Sequence, residues 1–343
     1  MQDTVLYNKY RPTSFSEVVG QDHVTKVLEA HLQRGSLPHS LILYGPPGTG
    51  KTTVGRIVAK TLNPHDSGLI EKDSGIEATK DAIRTLKVEV EHIPYEGDYK
   101  TYLFDEAHRV TRDAFDGLLK TIEEPPPHVK FIFVTSQFTK IPPSIRSRCE
   151  CHGFRLMTSD IIESRLSQVL QQENVNVSRE LLNLVIEYSG GSLRDALVSL
   201  ETVISQITSG ADEASIIRSL GVISSSQFAS LVTNYLQDNY KELDSSSSIF
   251  LEPHIDLDAA LADFQQFLMD LSRAIIYSRA YPDVSLTAND EVQKIVSTIT
   301  HAPNALASIH KMFKKSVTLC RDVKYVNNKK ALIQNFVNEL YLP

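Results

Sequence analysis

Residues 41–52 read Leu-Ile-Leu-Tyr-Gly-Pro-Pro-Gly-Thr-Gly-Lys-Thr, an apolar run followed by the complete pattern G-x-x-x-x-G-K-T. The run 41–44 predicts a buried parallel strand, and residues 53–62 predict a helix directly after the loop. A glycine-rich loop in this position turns its backbone N–H groups toward bound phosphates, and the helix N-terminus adds a favourable dipole. A chance glycine turn would lack this strand–loop–helix context, so the stretch predicts a nucleotide-binding α/β domain.

The loop residues have distinct expected tasks in holding ATP and Mg²⁺. The glycines allow close approach of the backbone, Lys51 supplies a positive charge, and the Thr52 hydroxyl ligates Mg²⁺. The residues that we expect to surround the phosphates are Gly45, Pro46, Pro47, Gly48, Thr49, Gly50, Lys51, Thr52 and Thr53.

Polar residues follow two further predicted strands. The run 101–104 ends at Asp105 and Glu106, and the run 131–134 ends at Thr135 and Ser136. Ligands of open α/β sheets bind at the carboxyl ends of the strands. We expect Asp105 to hold Mg²⁺, directly or through water, and Glu106 to polarise the attacking water. Thr135 and Ser136 either sense the γ-phosphate or orient water, or they are ordinary polar residues at a strand end.

Length and composition favour a multidomain protein outside the membrane. A chain of 343 residues is expected to form two or three domains, and its charged fraction of 22% is ordinary for globular proteins. No apolar run approaches the roughly 18–20 residues needed to span a bilayer, and the N-terminus does not read as a signal peptide. We therefore expect a cytoplasmic protein with no membrane partner.

Three cysteines cannot form a disulfide framework, so Cys149, Cys151 and Cys320 are expected to be free thiols. Cys149 and Cys151 would give only two of the four ligands of a structural zinc site, and no zinc site is predicted. The net charge of −7 argues against a protein that simply coats nucleic acid. Lys80, Arg84 and Lys87, on a helix predicted over 76–90, are candidate DNA contacts, although a solvated helix face explains the same spacing.

The pattern of apolar residues changes along the chain. Residues 1–157 alternate strand and helix signals, as in a parallel sheet covered by helices. Residues 158–220 form a small helical region, with Thr158 or Ser159 and then Ser192 as predicted N-caps and Gly190-Gly191 as a helix end. Residues 221–343 are predicted all-helical, and the serine run 245–248 is interpreted as a loop. The predicted helices there lie near 258–279, 289–299, 303–321 and 327–340.

Segments within roughly residues 5–205 resemble the AAA+ clamp-loader ATPases, in particular bacterial DNA polymerase III gamma/tau subunits and, next, replication factor C small subunits. The resemblance implies a RecA-like AAA+ ATPase core, a helical lid and a helical collar for oligomerisation. The matching segments, in order, are 6–12, 15–21, 45–52, 105–108, 118–126, 141–143, 147–149 and 191–197.

The resemblance also implies roles for individual residues. Tyr10, Arg11 and Pro12, with Val18 and Val19, would enclose the adenine. Ser136, or Thr135 beside it, corresponds to sensor 1, and Arg194 to sensor 2, which reaches the γ-phosphate of its own chain. Arg148 corresponds to the arginine finger, which completes the site of a neighbouring subunit.

Two departures from the family separate this chain from typical gamma/tau subunits. Bacterial gamma/tau carries a four-cysteine zinc module before the Asp-Glu strand, whereas residues 63–100 contain no cysteine. The chain also ends at Pro343, without the tail by which tau binds polymerase and helicase, so we do not expect it to tether them.

The resemblance implies an ATP-driven motor subunit of a sliding-clamp loader. Its expected partners are other loader subunits in a pentameric ring, the sliding clamp and primer–template DNA. One alternative is another DNA-dependent ATPase, such as a DEAH-type helicase or translocase, suggested by Asp105-Glu106-Ala107-His108. The helicase needs a second RecA-like domain, which a helical C-terminal region would not supply. The other alternative, a catalytically inactive scaffold subunit, disagrees with the intact phosphate-loop and acidic residues.

Overall fold

The chain forms two compact units, Met1–Ser209 and Gly210–Pro343. A computed structural model describes residues 5–63, 68–73, 80–94, 97–221, 223–280, 290–299, 304–326 and 328–342. The division predicted near residue 157 falls inside the first unit. Helix α10 (Glu213–Leu220), which the sequence prediction assigned to the lid, belongs to the second unit.

Within the described residues, the first unit is built on a five-stranded parallel sheet with the strand order β2-β3-β4-β1-β5. The three central strands are those predicted from apolar runs, and their side chains are almost all buried. The two edge strands, β2 and β5, contain charged residues and were not predicted individually. The strands are β1 (Ser40–Tyr44), β2 (Leu69–Asp73), β3 (Lys100–Asp105), β4 (Val129–Thr135) and β5 (Glu150–Gly153).

Alternating residues of the central strands belong to two separate apolar clusters, one on each face of the sheet. Leu43, Leu103 and Ile132 pack with one set of helices, while the rings of Phe104 and Phe133 stack on the opposite face at 5.2 Å between centroids. The helices of this unit are α1 (Leu6–Lys9), α2 (Asp22–Gln33), α3 (Lys51–Leu62), α4 (Lys80–Glu91), α5 (Arg112–Glu123), α6 (Pro143–Arg146), α7 (Ser159–Glu173), α8 (Arg179–Tyr188) and α9 (Leu193–Thr208).

Helix α3 lies unusually close to the sheet, and this closeness positions the loop before it. A Cβ atom at Gly55 would come within 2.9 Å of Leu103 Cδ1 and 3.4 Å of Ile132 Cγ2. Val54 and Val58 on either side of Gly55 are fully buried in the same cluster. Packing against β3 and β4 therefore directs the N-terminus of α3 to the carboxyl edge of the sheet.

Helices α7 to α9 follow the sheet, as the loss of strand signals predicts. Ser192 caps α9 by accepting a hydrogen bond from the Asp195 backbone N–H at 3.3 Å, as expected. Thr158 occupies the N-cap position of α7 but accepts no side-chain capping bond, so this predicted bond is wrong. Helix α8 ends before Gly190 and Gly191, whose φ angles of 53° and 88° turn the chain toward α9.

The second unit is helical throughout its described residues and has an apolar core of its own. The serine run 245–248 is not a loop: it lies at the end of α12 and in the 3₁₀ turn that follows. Among the described residues no helix is both long and apolar enough to cross a membrane. The helices after α10 are α11 (Ser225–Leu236), α12 (Tyr240–Ser247), α13 (Leu257–Ala280), α14 (Asp290–Ile299), α15 (Ala305–Asp322) and α16 (Lys329–Tyr341).

Candidate functional site

A cavity of about 290 Å³ lies at the carboxyl edge of the sheet, where the phosphate loop, the N-terminal segment and the start of α9 converge. All of its lining belongs to the first unit. The residues predicted from sequence that line it are Tyr10, Arg11, Pro12, Val18, Val19, Pro47, Gly48, Thr49, Gly50, Lys51, Thr52, Thr53, Asp105, Glu106 and Arg194. Four other predicted residues, Gly45, Pro46, Ser136 and Arg148, do not line it.

Backbone conformation shapes the phosphate loop and ties it to α9. Gly48 has a φ of 71°, and a Cβ atom there would lie 1.8 Å from Ser192 Oγ. Glycine is therefore required both for the left-handed conformation and for the contact with the α9 N-cap. Gly45 lies at the base of the loop, where its N–H donates to the Thr135 carbonyl at 3.2 Å.

Lys51 is the buried cation of the loop, with only 6% of its surface exposed. Its ammonium donates to the Pro46 carbonyl at 2.6 Å, and the Thr49 hydroxyl donates to the same oxygen at 2.8 Å. Burial lowers the pKa of Lys51, while the charges of Glu106 and Asp105 act in the opposite direction. An incoming phosphate would supply the anion that this desolvated ammonium needs.

Thr52 and Asp105 meet in the manner expected for a magnesium site. The Thr52 hydroxyl lies 3.2 Å from each carboxylate oxygen of Asp105, although the two residues belong to different elements. Hydroxyl and carboxylate oxygens are hard ligands that suit Mg²⁺, which commonly takes only one or two protein ligands beside substrate phosphates. The donor set therefore fits Mg²⁺.

Glu106 has a left-handed backbone, with φ 49° and ψ 45°, immediately after β3. Such a conformation is costly for a residue with a side chain and is found often at functional sites. Its Oε2 accepts a hydrogen bond from Ser136 Oγ at 3.1 Å and lies 3.1 Å from His108 Nδ1. Ser136 thus contacts the cavity's carboxylate rather than the cavity itself, and the buried Thr135 contacts His108.

Sequence reasoning did not identify His108 as a site residue. It lies in the 3₁₀ turn after Glu106, and it contacts both Glu106 and the end of β4. Only its position three residues after Asp105 could have suggested that its side chain returns to the strand edge.

The N-terminal segment, residues 5–12, closes one side of the cavity and is held by polar contacts with α7. Tyr10 Oη donates to Glu173 Oε1 at 2.5 Å, and Lys9 Nζ donates to the same oxygen at 2.7 Å. Arg165 Nη2 donates to the Tyr10 carbonyl at 3.1 Å. The hydrogen bonds from Lys9 and Tyr10 lower the pKa of the Glu173 carboxyl.

Several guanidinium groups gather around the cavity. Burial, followed by the charges of Arg56 and Arg194, lowers the pKa of Arg11. Arg194 lies over the ring of Tyr7, 5.0 Å from its centroid. Arg56, one turn along α3 from Thr52 and Thr53, is held by a bidentate ion pair with Glu71 of β2 at 2.5 and 2.8 Å.

The cavity therefore has lining residues that the sequence prediction missed. Tyr7 and Arg56 are polar, and Met157, Leu193 and Leu197 add apolar surface to the cavity. The helical spacing of Leu193 and Leu197 after Ser192 was a signal that they share one face of α9 with Arg194.

Arg148 lies away from the cavity, on the loop between α6 and β5. Its guanidinium forms an ion pair with Glu123 and donates to the Ser144 carbonyl at 2.8 Å. The side chain is 38% exposed. It is therefore accessible from outside, but it makes no contact with the nucleotide cavity of its own chain.

The remaining candidates lie apart from the cavity. Burial raises the pKa of the Cys149 thiol to about 12, and Cys151 is exposed. Among the described residues, no group of three or more His, Cys, Asp or Glu side chains is arranged to hold a metal ion. Lys87 is exposed on α4, whereas the side chains of Lys80 and Arg84 lie outside the described part of the chain.

Three family models match parts of the chain. They are the DNA polymerase III delta subunit over residues 60–158, the RCF1/5-like AAA+ ATPase lid domain over 164–205, and magnesium chelatase subunit ChlI over 14–101.

Individual relatives carry related names. DNA polymerase III subunit gamma of Buchnera aphidicola subsp. Baizongia pistaciae is 33% identical over 289 residues, which cover 78% of each chain. The gamma subunit of Buchnera aphidicola subsp. Schizaphis graminum is 30% identical and covers 86% of this chain and 87% of its own. The gamma/tau subunit of Mycoplasma pneumoniae is 38% identical, but the match spans only 32% of its length.

Solved structures show the same fold. The RuvB Holliday junction branch migration motor of Thermotoga maritima matches with a TM-score of 0.53 and 18% identity, over 77% of this chain and 91% of its own. At this identity the match shows the AAA+ fold and no more. The two Buchnera gamma subunits are at least 30% identical to this chain, and the match covers most of their length. This chain therefore belongs to the DNA polymerase III gamma/tau family of AAA+ clamp-loader ATPases.

Proposed function

We propose that the chain is an ATP-driven motor subunit of a sliding-clamp loader. It opens the clamp and places it on primer–template DNA, and it hydrolyses ATP on DNA contact. The observation that supports this proposal best is the convergence of Lys51, Asp105, Glu106 and Arg194 on one cavity, in a chain whose relatives are polymerase III gamma subunits.

Individual residues of the chain have separate roles in ATP hydrolysis. Lys51 leaves the Pro46 carbonyl and neutralises phosphate charge, and the backbone N–H groups of the loop hold the phosphate oxygens. Glu106 orients the attacking water, with Ser136 and His108 holding its carboxylate. Arg194, at the N-terminus of α9, contacts the γ-phosphate. Thr52 and Asp105 would hold Mg²⁺, which would neutralise charge that develops on the phosphates.

Arg148 acts on the ATP of a neighbouring subunit. Its exposure and its separation from the cavity of its own chain support this assignment. A guanidinium supplied in trans to a phosphoryl-transfer site raises the rate by about 10³–10⁵-fold. In this proposal the partners are other loader subunits in a pentameric ring, the sliding clamp and primer–template DNA, whose duplex geometry and phosphates dominate the contact.

The two alternatives are less well supported. The C-terminal unit is helical in its described residues, which is not the second RecA-like domain of a helicase. An inactive scaffold would not need the intact set of Lys51, Thr52, Asp105 and Glu106 around one cavity.

The deciding experiment is the steady-state ATPase rate, measured alone and then with primed DNA and the cognate clamp. Strong stimulation by DNA and clamp together supports clamp loading, whereas stimulation by single-stranded DNA alone contradicts it and favours a translocase.

Lys51→Ala should abolish ATP binding, because it removes the phosphate-neutralising charge. Lys60→Ala, an exposed lysine of the same helix, is the matched control and should bind ATP normally.

A further inference from the structure

The turn between α15 and α16 is a strongly basic surface on an acidic protein. Seven lysines and arginines but only one carboxylate, Asp322, lie between residues 311 and 330, while the whole chain has a net charge of −7. Positive charge is thus concentrated in one short stretch of the second unit, and it is not an overall property of the chain.

Most of these cations lack an acidic partner. Lys315 pairs with Glu339 at 2.9 Å, Arg321 lies 3.5 Å from Asp322, and Lys311 donates to the Leu342 carbonyl. The remaining four form no ion pair with any described residue, and all four are exposed. These four are Lys314, Lys324, Lys329 and Lys330.

The local backbone makes this clustering more unfavourable. Lys329 and Lys330 occupy the first turn of α16, where the helix dipole is positive and disfavours cations. An arrangement that opposes its own dipole and lacks counter-charges is best explained by an external anion.

An aromatic residue lies between these charges in the sequence. Tyr325 is 82% exposed, the highest fraction among the large hydrophobic side chains that are exposed in the described residues. Its backbone is fixed, because the N–H groups of Tyr325 and Val326 both donate to the Asp322 carbonyl, at 3.0 and 3.1 Å. The turn therefore holds an uncovered ring in a defined position, directly beside Lys324.

The cations also extend along one face of α15. Lys314 and Arg321 are seven residues apart, which places them on the same side of the helix, separated by about 10 Å. The opposite side of α15 is buried in the core through Ile309, Met312 and Leu319. That apolar side is already covered, and among the described residues of α15 the exposed large apolar side chain is Val317 alone, so the helix offers no continuous apolar face to a lipid surface.

We propose that this surface, formed by Lys314, Arg321, Lys324, Tyr325, Lys329 and Lys330, binds single-stranded nucleic acid. The cations contact successive phosphates, and the Tyr325 ring stacks on an unpaired base. Aromatic stacking combined with a basic track is the usual way in which proteins hold single strands without sequence preference. A duplex offers no free base face to Tyr325, so single strands are preferred. This surface lies in the second unit and does not depend on the ATP cavity of the first.

The test uses the full chain without nucleotide and a fluorescein-labelled oligothymidylate of 20 nucleotides, with binding followed by anisotropy at several salt concentrations. The combined variant Lys324→Ala/Lys329→Ala/Lys330→Ala should reduce the slope of log affinity against log salt by about 2, since each lost phosphate contact removes about 0.7. Tyr325→Ala should weaken binding by at least about five-fold, and Tyr325→Phe should not.

Lys241→Ala removes an exposed lysine elsewhere in the same unit and should leave the salt slope unchanged. The proposal is overturned if the triple variant keeps the wild-type slope, if Tyr325→Ala weakens duplex and single-strand binding equally, or if phosphatidylserine vesicles bind more tightly than the oligonucleotide. The DNA-free ATPase rate of the triple variant should match that of the wild type. Loss of ATPase activity in every variant, wild type included, would instead contradict the proposed function.

Discussion

Tyr7 and Arg194 are far apart in the chain, yet they are in contact at the wall of the nucleotide cavity. The ring of Tyr7 lies 5.0 Å from the Arg194 guanidinium, and no carboxylate among the described residues pairs with this arginine. A cation–π contact therefore holds Arg194 inside the cavity before ATP enters. Because Arg194 is assigned to the γ-phosphate, this positioning should matter for ATP and not for ADP.

We expect Tyr7→Leu to weaken ATP binding by about 0.5–2 kcal/mol, the range of a cation–π contact, and to leave ADP binding unchanged. Tyr7→Phe keeps the ring and should bind both nucleotides normally. Calorimetric titration with each nucleotide measures the difference. In an Arg194→Ala background, Tyr7→Leu should cause no further loss. An equal loss for ATP and ADP would show that Tyr7 contacts the base directly.

Mixing two inactive variants can test whether Arg148 acts on the ATP of a neighbouring subunit. Arg148→Ala should bind ATP normally but hydrolyse it about 10³-fold or more slowly in the assembly. Mixed with Lys51→Ala, which retains Arg148 but cannot bind ATP, it should regain activity, because an intact site lies beside an intact arginine wherever the two variants are neighbours. Arg179→Ala, an exposed arginine on α8, is the control for nonspecific charge loss. Assembly of the mixture without recovered hydrolysis would show that Arg148 acts within its own chain.

At the scale of elements, the N-terminal segment is attached to α7 through one carboxylate. Glu173 accepts hydrogen bonds from Lys9 and Tyr10, and they lower its pKa from the ordinary 4.5. A depressed carboxyl pKa means that the contact is fully formed above the ordinary value and is lost as the pH falls through the folded-state value. The segment should therefore stay in place at neutral pH and loosen in acid.

Hydrogen exchange of the amides of residues 8–10 measures this directly. Exchange should be slow at pH 7 and, after correction for intrinsic rates, less protected near pH 3. Glu173→Gln should show the weaker protection already at pH 7, whereas Glu180→Gln, on α8, should behave as wild type. Equal protection in Glu173→Gln and wild type would mean that other contacts, such as that between the Leu6 N–H and Glu201, hold the segment.

Sequence patterns predicted the elements that have strong internal signals. The central strands β1, β3 and β4 are apolar throughout, and their boundaries agree with prediction within two residues at each end. Edge strands β2 and β5 were missed because Leu69–Asp73 and Glu150–Gly153 have neither an apolar run nor strict alternation. Ser245–Ser248 continues a helix because Leu243 and Phe250 are buried on either side of it, an effect that local propensity does not show.

The residues of the candidate site also divide into those that the sequence predicts and those that it does not. The phosphate loop and the Asp105-Glu106 pair are contiguous motifs, so their positions at the carboxyl edge of the sheet could be predicted from the sequence alone. Tyr7 and Arg56 could not be predicted, because each acquires its position from a distant partner, Arg194 or Glu71. For His108, which contacts Thr135, the only signal in the sequence was its position after Asp105. Tertiary contact, and not local pattern, selects such residues.

At the scale of the whole molecule, each of the two units has its own apolar core. Two buried clusters around the sheet of the first unit draw on residues between Val24 and Phe154, and that of the second unit draws on residues between Ile223 and Leu340. Nucleotide should bind only to the first unit, because every residue that lines the cavity belongs to it.

Differential scanning calorimetry should therefore show two unfolding transitions. An ATP analogue with Mg²⁺ should raise the midpoint temperature of only one of them. At a free ligand concentration of 100 times Kd, the first unit should gain about 2.7 kcal/mol of stability. Lys51→Ala should abolish this shift without moving the other transition. A single transition, or two that move together on ligand addition, would contradict independent unfolding of the units.

The charged composition of the edge strands also bears on how the protein behaves at high concentration. A parallel sheet that ends in an open strand offers unpaired backbone groups to any other strand, which is a common route to aggregation. Here β2 carries Glu71 and Lys72, and β5 carries Glu150, so both edge strands contain charged residues where apolar strands would invite pairing. These charged residues are the reason that the two strands could not be predicted from an apolar pattern. They would also keep neighbouring copies from pairing edge to edge while the chain is synthesised and assembled.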